Sequence, residues 1–153
     1  MSKENLRYRK SSTKPRARAS KNYRSGLEKH NARHLELQDV PFTYESVRIP
    51  YVSEHVYNPD FLLWNYVVIE TKGRFIARDR AKHLAVRDKY PDIDIRFVFS
   101  NSRSLLQKGA KSTYADWCHK YGYLYADGLV PQDWIWEPIN IPSKRAIAEL
   151  RNV

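Results

Sequence analysis

Three residues in one short stretch could do chemistry together: Asp60, in Asn58-Pro59-Asp60, and the pair Glu70 and Lys72, in Glu70-Thr71-Lys72. In an extended strand, residues two apart share a face, so Glu70 and Lys72 emerge side by side and Thr71 points the other way. Between Asp60 and Glu70 lie Phe61-Leu62-Leu63, a polar break at Trp64-Asn65, and Tyr66-Val67-Val68-Ile69. Two β-rich runs around a tight break predict a hairpin that folds Asp60 back toward Glu70. The second run is apolar on both faces and therefore reads as buried, where Asp, Glu and Lys are rare unless paired or metal-bound. Two carboxylates can hold Mg2+ through oxygen while leaving positions for water and a substrate phosphate. Such an ion polarises the phosphoryl group and acidifies water, and the neighbouring ammonium stabilises charge in the transition state. The set points to a magnesium-dependent phosphodiesterase. The structural alternative is an ion pair between Lys72 and one acid, which leaves the other acid unpaired and adds little stability.

The hairpin needs elements to hold it. Asn22 to Asp39 predicts a first helix, with Leu27, Ala32, Leu35 and Leu37 among its apolar positions. Ser25-x-x-Glu28 has capping-box spacing, and spacing alone favours a capping role for Glu28. His30 and His34 lie four apart, but with no further Cys or His nearby they read as a solvated face. Thr43 to Ile49 alternates as a strand. Pro50 interrupts it before Tyr51-Val52, making that segment an edge strand or an extended connector.

After Gly73, Arg78 to Tyr90 predicts a helix with Ala81, Leu84, Ala85 and Val86 on one side. Arg78, Arg80, Lys82, His83 and Arg87 on it read either as a phosphate-facing surface or as an ordinary solvated face. Asp94 to Ser100 is a largely apolar, central strand; strand, helix, strand implies a crossover unit in a mixed sheet. Ser102-Arg103-Ser104 opens a turn or short helix ending near Gly109, which Lys108 and Lys111 flank. Ser112 or Thr113 caps a helix that Gly122 stops, with Tyr114, Trp117 and Cys118 as core contacts. A short strand over Tyr123–Ala126, an aromatic segment holding Trp134 and Trp136, and a last helix from Pro142 complete the chain. The fold class is α/β, a mixed sheet flanked by helices, in one domain over 22–153.

The chain has 153 residues and a net charge of +10. Residues 1–21 carry eight basic side chains against Glu4 alone, so most of that charge lies in this arm. Its few apolar residues and Pro15 predict disorder when free. A one-signed arm gains affinity for phosphates by releasing counterions. Cys118, the single cysteine, cannot form an internal disulfide, and there is neither a membrane-crossing apolar run nor a signal peptide. An intracellular protein is expected, with no membrane partner and no small-molecule cofactor.

The Pro59-Asp60, Glu70-Thr71-Lys72 arrangement resembles the PD-(D/E)xK nuclease superfamily. More specifically, the sequence resembles the phage-encoded endonuclease I family of DNA junction resolvases. The ordered matches are Tyr23-Arg24-Ser25-Gly26-Leu27-Glu28, Val56 to Leu63, Ile69 to Gly73, Lys82-His83-Leu84, Asp94 to Ser100, and Trp134-Ile135 to Glu137-Pro138. The resemblance implies a restriction-endonuclease-like fold and moves Glu28 from cap to catalytic acid, roles that can coexist. It implies Glu28, Asp60 and Glu70 as catalytic acids and metal ligands, the Thr71 carbonyl as a further ligand, and Lys72 as the catalytic lysine. Two Mg2+ ions per site are implied, with Mn2+ able to substitute. It also implies a domain-swapped homodimer, in which the first helix of one chain completes the other's site and residues 48–53 form the bridge. The substrate implied is the four-way (Holliday) or otherwise branched DNA junction, met in the host cytoplasm if the protein is phage-encoded. Expected DNA contacts are Arg16, Arg18, Lys21, Arg24, Arg80, Lys82, His83, Arg103, Lys108 and Lys111. The longer basic arm and the lack of a lysine-rich C-terminus depart from the family. A PD-(D/E)xK nuclease acting on linear duplex, or a non-catalytic nucleic-acid-binding protein, are the rival readings.

Overall fold

Ser25 starts the first helix, α1 (Gly26–Leu37), by accepting the Glu28 N–H on its hydroxyl at 3.1 Å in the computed structural model. The structure describes residues 22–52 and 55–152. The arm, with Arg16, Arg18 and Lys21, and Ser53 of the expected bridge lie outside them. The helix is shorter than the Asn22–Asp39 expected, because Ser25 caps one end and Asp39 leaves helical geometry with φ 53 at the other.

The single strand expected over Thr43–Ile49 is two. β1 (Phe42–Tyr44) stops where Glu45 takes φ 48, and β2 (Ile49–Val52) starts afresh. Pro50 lies in β2, which pairs with β3 (His55–Tyr57) in a separate two-stranded sheet whose register slips between Pro50 and Val52. A proline, lacking an N–H, is tolerated at such an edge. The hairpin follows as β4 (Phe61–Leu63) and β5 (Val67–Lys72), with Tyr66 at φ 66 making its turn.

Next come α2 (Ala77–Lys89), β6 (Asp94–Phe99), α3 (Tyr114–Tyr121), β7 (Tyr125–Asp127), α4 (Gln132–Trp136) and α5 (Ile141–Arg151). The main sheet has the order β1-β4-β5-β6-β7, antiparallel from β1 to β5 and parallel from β5 to β7. It is therefore mixed, with α2 as the crossover between β5 and β6. Ser102 to Ser112 forms turns instead of a short helix, joined by a single Leu105–Thr113 bridge. Thr113 and Asp116 form a full capping box on α3, and Gly122 ends it with φ 72.

The two sheet faces carry two cores. Val68, Phe97 and Phe99 pack with Val86, Trp117 and Cys118; Val67, Ile69 and Val98 pack with Ala32, Leu35 and Ile135. Alternation along β5 sorts its residues between them, and α1 sits on β5 of its own chain. The expected apolar side of α2 needs correction: its buried positions are His83 and Val86, while Leu84 and Ala85 are half-buried and Ala81 is exposed. Spacing of apolar residues could not show that the helix turns a histidine inward.

Asn65, fully buried in the hairpin turn, donates to the carbonyls of Trp134 (2.9 Å) and Glu137 (3.1 Å) and ties the C-terminal elements to the sheet. Trp64 adds a bond to the Ile135 carbonyl at 2.8 Å.

Candidate active site

The hairpin register pairs Phe61 with Ile69, so Asp60 comes to lie opposite Glu70. Asp60 Oδ2 accepts both the N–H (2.8 Å) and the hydroxyl (2.7 Å) of Thr71, which fixes its carboxylate and leaves Oδ1 outside those bonds. Glu70 is 3% exposed. Its Oε1 pairs with Lys72 Nζ at 2.9 Å, and its Oε2 accepts the Tyr57 hydroxyl at 2.6 Å. Lys72 also lies 3.8 Å from Asp79, in the first turn of α2, and Asp79 is 3.9 Å from Lys82.

Burial, and then the charge of Glu70, push Asp60 up to about 7; the Thr71 bonds oppose this and Glu28 adds to it. Burial would also raise Glu70, but His83, Lys72 and Lys82 together hold it well below the usual carboxylate range. Lys72 shows the same contest: burial disfavours its charge, and Glu70 more than restores it, so its pKa is raised. The site thus holds an ammonium, an ionised carboxylate and a second carboxylate that the first resists ionising. A divalent cation relieves that repulsion, so this donor set fits one.

Glu28 stands apart. Its Oε2 accepts the Arg24 N–H at 2.9 Å and the Tyr44 hydroxyl at 2.5 Å. The capping box is accordingly half-formed, since Glu28 bonds the Arg24 N–H where Ser25's was expected. Among the described residues, no three of His, Cys, Asp and Glu converge to enclose a metal ion. Only Oε2 of Glu28 is used in these bonds, and its field reaches Asp60.

A sequence profile for phage endonuclease I matches residues 9–152, a span that holds all of these side chains. The chain belongs to the phage endonuclease I family. It is 50% identical over 119 residues to Endodeoxyribonuclease 1 of Enterobacteria phage T3, spanning 76% of this chain and 78% of that protein. It is 47% identical over 119 residues to Endonuclease I of Escherichia phage T7, spanning 76% of this chain and 80% of that protein.

In this family member the expected DNA-contacting residues fall into different settings. Arg24, Arg103, Lys108 and Lys111 are exposed, with the Arg24 guanidinium paired to Glu45 at 3.0 Å. Arg80 is half-buried and donates to the carbonyls of Phe75 and Leu106. Arg87 is likewise turned to the Tyr121 carbonyl. Lys82 is half-buried, its ammonium 5.0 Å from the centre of the Tyr57 ring. His83 must be corrected: it is 0% exposed, packed behind Glu70 with its Nε2 3.7 Å from Glu70 Oε1, and faces no solvent. Burial lowers its pKa against the pull of Glu70.

Sequence reasoning missed Tyr57 and Asp79. The only signal for Tyr57 was its place three residues before Asp60; for Asp79 it was an acid in the first turn of a helix that follows the lysine strand.

Proposed function

We propose that this chain is a metal-dependent endodeoxyribonuclease that resolves four-way and other branched DNA junctions by hydrolysing phosphodiester bonds. The observation that carries the chemistry is the Lys72 ammonium 2.9 Å from Glu70, with Asp60 opposite it in the hairpin. The substrate class rests on family membership and on the resemblance carried by the ordered motifs. Mg2+ ions, two per site and replaceable by Mn2+, would be held by Asp60, Glu70, Glu28 and the Thr71 carbonyl and would supply Lewis acidity and an acidified water.

Lys72 remains an ammonium at neutral pH, so it acts by charge and hydrogen-bond donation toward the reacting phosphate. Asp60 is held by Thr71, which fixes its position without occupying both oxygens. Glu28, on α1, lies apart from the Asp60–Glu70 pair, with its field reaching Asp60 and its Oε1 outside the bonds to Arg24 and Tyr44; in a domain-swapped dimer, where the first helix of one chain completes the other's site, it would serve as the third acid. Exposed cations and the arm would hold the backbone, a contact that positions DNA without reading bases.

Paired cuts in a junction call for two sites, and the proposed assembly is a homodimer working in the host cytoplasm. Among the described residues no helix is long and apolar enough to cross a membrane. The test is incubation with Mg2+ and a labelled four-way junction, beside a linear duplex of the same sequence and a Glu70→Ala control. Paired symmetric cuts near the branch, absent in the control, support the proposal. Equal cutting of both substrates replaces it with a general nuclease; binding without cutting leaves only a DNA-binding protein. Sedimentation equilibrium tests the dimer independently.

A further inference from the structure

The Glu70 carboxylate is approached on both oxygens by side chains that DNA cannot reach. Tyr57 is 2% exposed and His83 0%. The Tyr57 hydroxyl donates to Oε2 at 2.6 Å, and His83 Nε2 stands 3.7 Å from Oε1. The two rings meet edge to face with centroids 5.0 Å apart, and Phe97 backs the imidazole at 4.8 Å. The main chain at His83 is also held, since its carbonyl accepts the Tyr123 hydroxyl at 2.9 Å.

The imidazole is anomalous on stability grounds. Neither ring nitrogen of His83 has a hydrogen-bond partner among the described residues. A distance of 3.7 Å is a charge contact, beyond a formed hydrogen bond. An unpartnered buried polar group is destabilising, and Tyr57, Phe75 and Phe97 surround the ring with a setting that an apolar side chain would fit better. What the imidazole does provide is a nitrogen directed at Glu70 Oε1, the oxygen that Lys72 occupies at 2.9 Å. The Lys72 ammonium has three N–H donors to divide between Oε1 and a bound phosphate, so its hold on Oε1 is shared once substrate is present.

We propose that Tyr57 and His83 are positioning residues for Glu70: Tyr57 holds Oε2, and His83 presents Nε2 to Oε1 so that the carboxylate keeps one orientation when Lys72 engages substrate. This rests on the reading of Glu70 as a catalytic acid. Neither residue touches DNA; both act through Glu70, as partners of ligating groups do.

Tyr57→Phe, His83→Leu and His83→Gln are compared with Glu70→Gln and the parent in the full-length protein. The readouts are kcat and KM on a four-way junction with Mg2+, Mn2+ binding to the protein alone by calorimetry, and thermal unfolding in EDTA. Tyr57→Phe should lower kcat by roughly 10- to 100-fold and weaken Mn2+ binding comparably, with KM for the junction unchanged. His83→Leu should lower kcat while raising the unfolding temperature, because it removes two unpartnered nitrogens. His83→Gln, which returns a donor, should recover part of kcat. A purely structural histidine gives the opposite pattern, lost stability with no recovery by Gln, and that result overturns the proposal. Parent-like cutting and Mn2+ binding by Tyr57→Phe and His83→Leu, with Glu70→Gln inactive, overturns the positioning role and spares the site. Parent-like cutting by Glu70→Gln overturns both. Should Tyr57→Phe fail to fold, the His83 pair decides.

Discussion

Asp60→Asn should make the metal-free protein more stable, and increasingly so as pH rises. Asp60 goes from 3.8 when solvated to about 7 in the folded chain, chiefly through burial and then the Glu70 charge. A carboxyl raised by folding favours the folded state through its protonated form. That contribution is fully present below 3.8 and is lost as pH rises through about 7. At 1.36 kcal/mol for each pKa unit, ionised Asp60 weakens the fold by about 4 kcal/mol at pH 8. Asparagine keeps an oxygen to accept the Thr71 N–H and hydroxyl bonds and carries no charge at any pH. Parent and variant should therefore unfold alike near pH 4 and diverge by about 4 kcal/mol at pH 8. Urea unfolding in EDTA, followed by tryptophan fluorescence across that range, gives the difference directly, and other titrating groups largely cancel in it. Saturating Mg2+ should close the gap by binding the folded parent, and the variant should cut nothing. A difference that does not change with pH, or a variant less stable than the parent at pH 8, would refute the electrostatic picture of the hairpin.

Other consequences follow from parts of the chain remote from the acids. Asn65→Ala strips the carbonyls of Trp134 and Glu137 of a buried donor and should destabilise the protein by roughly 2–6 kcal/mol in urea, at about 1–3 kcal/mol per unsatisfied group, with cutting per folded molecule unchanged. Deleting residues 1–21 should weaken junction binding and flatten its dependence on salt, the slope falling by about 0.9 for each phosphate that the arm neutralises in the full-length protein. Gel-shift titrations at several salt concentrations measure this, and an unchanged slope would remove the arm from the interface. Cys118 is buried and its thiol is pushed up to about 12 by burial, so it should resist a thiol reagent until unfolding, then label fully. Rapid labelling of the native protein would place it at the surface.

The hairpin was legible because its signals are local: two β-rich runs, a turn of two polar-tipped residues, and acids at positions that the pairing brings opposite each other. Thr113 and Gly122 likewise announced the ends of α3 through residue types with specific backbone roles. The break between β1 and β2 was not legible, because Glu45 adopts φ 48, and a glutamate gives no warning of left-handed backbone. The inward turn of α2 at His83 was hidden for a related reason. Apolar periodicity marks a buried face only where that face is apolar, and here the site needs a polar residue inside the core.

The sequence alone determined the catalytic candidates Asp60, Glu70 and Lys72, the mixed α/β class and the crossover, since strand alternation and short-range turn chemistry fix these within a few residues. Only the tertiary structure decided who holds those candidates. It brought Tyr57 from β3 and His83 from α2 to the two oxygens of Glu70, and turned Glu28 toward Tyr44 and the Arg24 N–H. Those partners come from separate elements, so their meeting is set by how the small sheet and α2 pack on β5, which no local pattern in the chain encodes.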